Sequence, residues 1–482
     1  MNILMAASEC VPFVKIGGLA DVVGTLPNYL QRLGNDVRII LPKYKSIDDK
    51  KYKLETLPLK LSVDVAGNKE SFNIKTCKTS QVTVYFIDNM HFFYRDGIYG
   101  SDFGDFGDNR ERYIFFCKAV LESAKALGFK PDIIHCHDWQ TGLIPAYLKT
   151  VMKYDKFFWK TSTVFSIHNI AYQGSFAADT VVAAGFSWQD FTPDKLEFYN
   201  KVNFMKCAIS LSDAVSTVSP TYSLEIKEFN GLGMEVVLNS RQDKIYGILN
   251  GIDYDYWNPK KDKNIAANFS KEDLSGKKTC KSDLQSLCGL EMNPNTYLFG
   301  CVSRLDHQKG FDIIIDAMYK LKNENMQFVI LGSGDRSIRY ELEKAASQMK
   351  NIAVFFDYNE VLSHKIYAGI DAYMMPSRFE PCGLSQMIAL SYAGIPIVNR
   401  TGGLSDTIVY YNHFSKEGNG FTFNITYGEN FVQTIYKSEK IFRDKNNWNT
   451  LVNNAINCKF SWDNSAIQYN EIYKNLSAYK EF

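Results

Sequence analysis

The feature that most restricts how this chain can fold is a recurrence of short, continuously apolar runs separated by longer segments of helical period. In the first half the runs are NILMAA, DVRIIL, VTVYFI, DIIHC, STVFSI, DAVSTV and IYGIL; in the second they are YLFGCVS, QFVILGS, IAVFF, DAYMMP and IPIVN. A strand wetted on one face alternates apolar and polar residues, so unbroken apolar runs belong to parallel sheets covered by helices on both sides. The plan occurs twice, and 482 residues exceed the roughly 100 to 200 of one domain. An α/β fold of two doubly wound, Rossmann-like domains facing each other across a cleft is therefore expected. The first domain is placed over 1–252, with a β-hairpin insertion near 57–88 that turns at Gly67 and Asn68. NGIDYDYWNPKKDKN, rich in turn formers and charge, supplies a linker over 253–262. The second domain follows over 263–458, and 459–482 forms a closing helix that packs back on the first.

Charge and composition remove several classes of function. A formal net charge of +1 offers no field for nucleic acid or an acidic membrane, so neither is expected as a partner. With 45% hydrophobic and 22% charged residues and no low-complexity block, the chain can bury large cores. No apolar stretch reaches the roughly 18 residues that span a bilayer, and the first strand starts at Asn2, leaving no room for a signal peptide. The ten cysteines lack paired zinc-type spacing, and Cys136, Cys207 and Cys301 sit inside apolar runs. A reducing, cytoplasmic setting is expected; a plastid form without its transit peptide would read the same.

Open sheets of this kind bind ligands beyond the carboxyl ends of their strands, so the residues there carry the chemistry. After the first strand comes FVKIGGLADVVG, with Lys15 beside Gly17 and Gly18. Side-chain-free backbone approaches a ligand closely, and amides exposed at a helix start attract anions; a tight turn with a solvated lysine is the alternative. The stretch fits neither G-x-G-x-x-G nor G-x-x-x-x-G-K-[ST], which argues against NAD and against an ATPase. The corresponding place in the second half, CVSRLDHQKGFDIII, offers Arg304 and Lys309. A planar fork and a point charge together suit a diphosphate whose charge grows as it leaves.

Three further strand ends are polar. In PSRFEPCGLSQM, Glu380 precedes Gly383 near a helix start, where it would accept hydrogen bonds from sugar hydroxyls or merely complement the helix dipole. In IIHCHDWQTG, His135 and His137 point to one side of a strand, but no motif adds the further ligands that zinc needs. No metal is expected: His135 is read as core, and Asp138 as meeting substrate at the strand end. SIHNIAYQG ends a strand on His168 and Asn169.

Taken together, VKIGGLADV, HDWQTG, SIHNIAYQG, NGID, SRLDHQKGFD, PSRFEPCGLSQM and RTGGLSDTI closely resemble the bacterial glycogen synthases and plant starch synthases, the family 5 retaining glycosyltransferases. The resemblance implies a GT-B fold and transfer of glucose from ADP-glucose to the non-reducing 4-hydroxyl of an α-1,4-glucan primer, glycogen or starch, with retention and without metal or cofactor. It implies that Lys15 and the Gly17 and Gly18 amides meet the donor phosphates alongside Arg304 and Lys309, with Asp21 ordering the loop. It places His168, Asn250 and Glu380 around the glucose, with Asn169 as a further substrate-binding residue, the amides of Cys382, Gly383 and Leu384 along the sugar, and Tyr358 on the adenine. Glu9 and Asp138 match acidic residues near the acceptor. Ile16 replaces a common threonine, and Ile388 stands where the wider E-x7-E group has a second glutamate, which these synthases also lack.

The implied catalytic set is Arg304, Lys309, His168, Glu380 and Asp138, acting by front-face departure of the diphosphate rather than by double inversion through a carboxylate. Closure about NGIDYDYW is expected to accompany donor binding. A UDP-glucose donor, a non-catalytic glucan-binding protein of the same fold, a nicotinamide oxidoreductase and a pyridoxal-phosphate phosphorylase are the rivals.

Overall fold

A computed structural model describes residues 1–79, 82–101, 104–357, 359–425 and 430–478. The chain divides into two compact units, Met1–Ile248 with Trp462–Phe482, and Leu249–Ser461. Residues 253–262 thus lie inside the second unit.

The first unit is built on a nine-stranded sheet. Its strands are β1 (Asn2–Ala6), β2 (Asp36–Pro42), β3 (Glu55–Val65), β4 (Asn68–Thr79), β5 (Val82–Asp88), β6 (Ile133–His137), β7 (Ser162–Ile167), β8 (Ala214–Thr217) and β9 (Ile245–Gly247). They lie in the order β9-β8-β7-β6-β1-β2-β5-β4-β3. Strands β1, β2 and β5 to β9 pair in parallel, and β6 and β7 are buried along their whole lengths, which is why they read as unbroken apolar runs. The hairpin β3–β4 pairs antiparallel and extends the sheet through β5.

The hairpin turn falls one residue earlier than the sequence suggests. Val65 pairs with Asn68, so Ala66 and Gly67 make the turn, at φ 49° and 80°. A two-residue turn of this hand needs positive φ at both positions. Ala66 holds that unfavourable conformation while its N–H donates to Ala183 O at 2.9 Å, a tertiary bond that the local sequence does not announce.

The second unit carries a six-stranded parallel sheet: β10 (Tyr297–Val302), β11 (Met326–Leu331), β12 (Ile352–Phe355), β13 (Ala372–Met375), β14 (Ile395–Asn399) and β15 (Phe421–Phe423), in the order β12-β11-β10-β13-β14-β15.

Both sheets reverse their winding once. From β1 the chain adds β2 and later strands on one side, then returns to lay β6 on the other, so the switch lies between β1 and β6. In the second unit it lies between β10 and β13. Loops leaving the carboxyl ends of such a strand pair splay apart and leave a crevice, the general ligand position of open α/β sheets. Helix α1 (Gly18–Arg32) follows β1, and the last helix, α6 (Trp462–Ala478), packs on α1 and buries Trp462, Tyr469 and Tyr473 in the first unit. For the helices used below, α2 is Asn109–Ala126, α3 Phe311–Lys320, α4 Ser385–Ser391 and α5 Gly402–Thr407.

Candidate active site

At the first switch, Glu9 leaves β1 and turns back under the Lys15 loop. Its Oε2 accepts the Ile16 N–H at 2.5 Å and the Gly17 N–H at 2.9 Å, while Tyr99 donates to Oε1 at 2.6 Å. The resemblance placed Glu9 with the acceptor and the Gly17 amide with phosphate; in this structure the two are bonded to each other. A charge-assisted clamp of this kind fixes the loop path before any ligand arrives. Lys15 Nζ reaches Asp21 in the first turn of α1 at 2.7 Å. Burial lifts the Asp21 carboxyl above its ordinary value, although Lys15 draws it down. A Cβ built on Gly17 or Gly18 would meet nothing within 4 Å. The protein's own packing therefore does not require these glycines, and space lies open in front of them.

Across the same switch, β6 ends in Asp138, whose backbone sits at φ 55°. Its Oδ1 accepts the His168 N–H at 2.7 Å at the end of β7, and the Asn169 amide assists. Burial nevertheless outweighs these donors, with Glu9 adding to the effect, and the carboxyl rises to about 7. His168 is driven down to about 3 by burial and stays neutral at physiological pH. Its Nε2 lies 2.9 Å from His137 Nδ1. Asn169 Oδ1 caps the following turn by accepting the Ala171 N–H at 3.0 Å.

His135 belongs to the core, as the sequence suggests. It is fully buried, bonded through Nε2 to Ser166 at 2.6 Å and through Nδ1 to Tyr473 of α6 at 2.7 Å. Among the described residues no group of His, Cys, Asp and Glu side chains is arranged to hold a metal ion.

At the second switch, Lys309 precedes α3 and Glu380 follows β13. Their side chains form a pair, Nζ to Oε2 at 2.6 Å, with Glu380 buried and Lys309 half-buried, and Ser377 donates to the same oxygen at 3.0 Å. Glu380 Oε1 is left without a partner among the described residues. Arg304 is exposed and carries no ion pair among them. Its loop is held by LGSGD: a Cβ on Gly332 would lie 2.2 Å from Ser303 O, and one on Gly334 2.4 Å from Leu305 O. These glycines let two backbones touch and so aim Arg304.

The same logic explains RTGGLSDTI. Cβ atoms on Gly402 and Gly403 would fall 2.0 Å from Glu380 O and 2.1 Å from Cys382 O. Helix α5 thus seats its first turn directly on the Glu380–Cys382 backbone. The amides of Cys382, Gly383 and Leu384 meet no acceptor among the described residues, ahead of α4. The Cys382 thiol is pushed up to about 12 by burial, so it is no thiolate. Asn250 is buried nearby against Cys382, and its Oδ1 has no partner among the described residues. Tyr358 lies outside the described residues.

Sequence reasoning missed Tyr99, Ser377 and His137 as partners of site residues. Tyr99 acts on distant Glu9 and no motif marks it; Ser377 stood within the quoted PSRFEPCGLSQM, where only Glu380 drew attention. His137 stood within a quoted motif but drew attention only as a metal ligand.

Two family profiles cover the chain: one described as the starch synthase catalytic domain matches residues 2–240, and one described as glycosyl transferases group 1 matches 289–455. Glycogen synthase 2 of Geobacter metallireducens is 41% identical over 479 residues, covering 99% of both chains. The glycogen synthase of Desulforamulus reducens is 43% identical over 480 residues, again across 99% of each. The chain belongs to the glycogen and starch synthase family. Among solved structures, the catalytic domain of Arabidopsis thaliana starch synthase IV bound to ADP and acarbose superposes on this synthase with a TM-score of 0.92, 36% identity and 99% coverage of each chain. A sucrose-phosphate synthase from Thermosynechococcus elongatus, 15% identical with a TM-score of 0.63 and 99% coverage of both, shares the fold. The synthase thus has the GT-B glycosyltransferase fold, and no helix among its described residues is long and apolar enough to cross a membrane.

Proposed function

We propose that this synthase lengthens α-1,4-glucan with glucose from ADP-glucose, retaining configuration, and that Arg304 and Lys309 stabilise the departing diphosphate. The observation that carries the reading is the second switch: a partly buried Lys309–Glu380 pair at 2.6 Å beside an exposed Arg304 with no ion pair among the described residues. A buried ion pair alone adds little to stability, but one that leaves a carboxylate oxygen open is fitted to a polar ligand. Glu380 Oε1 then accepts a glucose hydroxyl, while Lys309 spans Glu380 and the diphosphate. The free amides of Cys382 to Leu384 and the orphaned Asn250 Oδ1 add donors and an acceptor along the sugar. The ADP-bound Arabidopsis relative supports an adenine nucleotide donor.

In this reading the anomeric C–O bond breaks toward the diphosphate, and Arg304 and Lys309 meet the negative charge as it develops. The acceptor hydroxyl attacks from the same face and passes its proton to the leaving phosphate, so no separate base is needed. In the first unit, Lys15 and the Gly18 amide of the open turn are offered to phosphate, and Asp138, His168 and Asn169 to hexose. Localisation in the cytoplasm is part of the same proposal.

Arg304→Ala is expected to lower kcat about a hundredfold, equivalent to about 3 kcal/mol of barrier, in an ADP-release assay with glycogen primer. Near-full turnover at saturating donor would overturn the assignment. Competition between ADP-glucose and UDP-glucose in that assay tests the donor, and a preference for the uridine donor would overturn that part.

A further inference from the structure

His137 has no role in the mechanism above, yet it is completely buried at the end of β6 with one ring nitrogen against His168. We infer that His137 is a positioning residue that sets the tautomer of His168, so that His168 presents an Nδ1–H donor to the site. The inference rests on the proposed contact between His168 and the transferred glucose.

Burial keeps the His137 and His168 imidazoles neutral, as it does His135, whose ring centroid lies 4.1 Å from that of His137. One proton therefore lies in the 2.9 Å contact between His137 Nδ1 and His168 Nε2. Two arrangements are open. If His168 Nε2 holds that proton, His137 must carry its own on Nε2. If His137 Nδ1 holds it, His168 carries its own on Nδ1.

The surroundings separate the two. His137 Nε2 is sealed from solvent and has no hydrogen-bond partner among the described residues. The first arrangement buries an unpaired N–H there; the second leaves only a lone pair. Orphaned buried donors are rarer in proteins than under-used acceptors. His168 Nδ1, by contrast, is not among the sealed atoms, so a proton there finds water or a ligand hydroxyl. The second arrangement satisfies both ends.

The rest of the local structure holds the pair in this register. Thr141 Oγ1 donates to the His137 carbonyl at 3.0 Å, and Asp138 Oδ1 takes the His168 N–H at 2.7 Å. Neither bond touches a ring nitrogen, so the ring–ring contact and the sealed His137 Nε2 together set the tautomer.

Long-range proton–nitrogen correlation spectra of the full chain with 15N-labelled histidine read the protonated nitrogen directly. The parent protein is expected to show His168 protonated on Nδ1, assigned by loss of its signals in His168→Gln. His137→Asn, whose amide keeps a donor near the Nδ1 position, is expected to retain that pattern. His137→Asp, whose carboxylate offers only an acceptor there, is expected to draw the shared proton onto His168 Nε2.

A parent spectrum with His168 protonated on Nε2 overturns the inference without any variant. An unchanged tautomer in a folded His137→Asp protein overturns it equally. Should His137→Asp fail to fold, the parent spectrum and His137→Asn still decide. In glycogen elongation, His137→Asp is expected to lose about tenfold in kcat/KM and His137→Asn to keep most of it. Tautomers as expected with turnover untouched would instead count against His168 as a sugar contact, leaving the tautomer assignment intact.

Discussion

Two residue-scale features lend themselves to direct test. The Asp138 carboxyl is held protonated up to about 7, against an ordinary 3.8, chiefly by burial. Between those values the unfolded chain has released a proton that the folded chain keeps, so stability falls as pH rises across the window and levels off above it. Asp138→Asn cannot ionise and escapes that loss. Its stability relative to the parent should improve by on the order of 2 kcal/mol from pH 5 to pH 8, measured by urea denaturation. A pH-independent difference would mean that the carboxyl titrates normally. The glycines make a second contrast. Gly18→Ala adds a Cβ into open space at a helix start, so melting should hold or rise while donor KM increases. Gly403→Ala drives a Cβ to 2.1 Å from Cys382 O and should cost several kcal/mol of stability along with activity. Thermal denaturation beside donor kinetics distinguishes the two; equal behaviour would remove the argument that Gly17 and Gly18 serve a ligand.

Elements were legible where both faces of a strand are covered. β6, β7, β10 and β11 read directly as apolar runs, because a buried parallel strand leaves no polar position to confuse the pattern. The short strand Phe421–Phe423 is too brief to carry a period, and the hairpin turn was misplaced by one because Ala66 depends on a bond to Ala183. Helix α6 read as amphipathic, but its purpose did not. Tyr473 reaches His135 at 2.7 Å, and Ser166 continues to Ser216 at 2.5 Å, a buried polar chain from the last helix through three strands. Tyr473→Phe removes one donor of this chain and should cost about 1 kcal/mol without loss of fold. No change in the denaturation midpoint would show that His135 is satisfied without it.

For the whole molecule, the covalent order and the physical units disagree. The first unit is completed only by the last helix, which supplies Trp462, Tyr469 and Tyr473 to its core. Ending the chain after Ser461 should therefore loosen the first unit, seen as faster hydrogen exchange in β6 and β7, while β10 to β13 keep their protection. Uniform loss of protection would mean that the two units fold as one. What the amino-acid sequence determined by itself was the repeated α/β plan, the identity of the polar strand ends, and the family, because apolar periodicity and contiguous motifs are local properties. The tertiary structure alone decided which of those ends share a crevice, that Glu9 clamps the Gly17 amide, that Lys309 pairs with Glu380, and that His137 faces His168. The Glu9 clamp folds a loop back on itself, whereas Lys309–Glu380 and His137–His168 join residues far apart in the chain, and only strand order and winding bring those within hydrogen-bond reach.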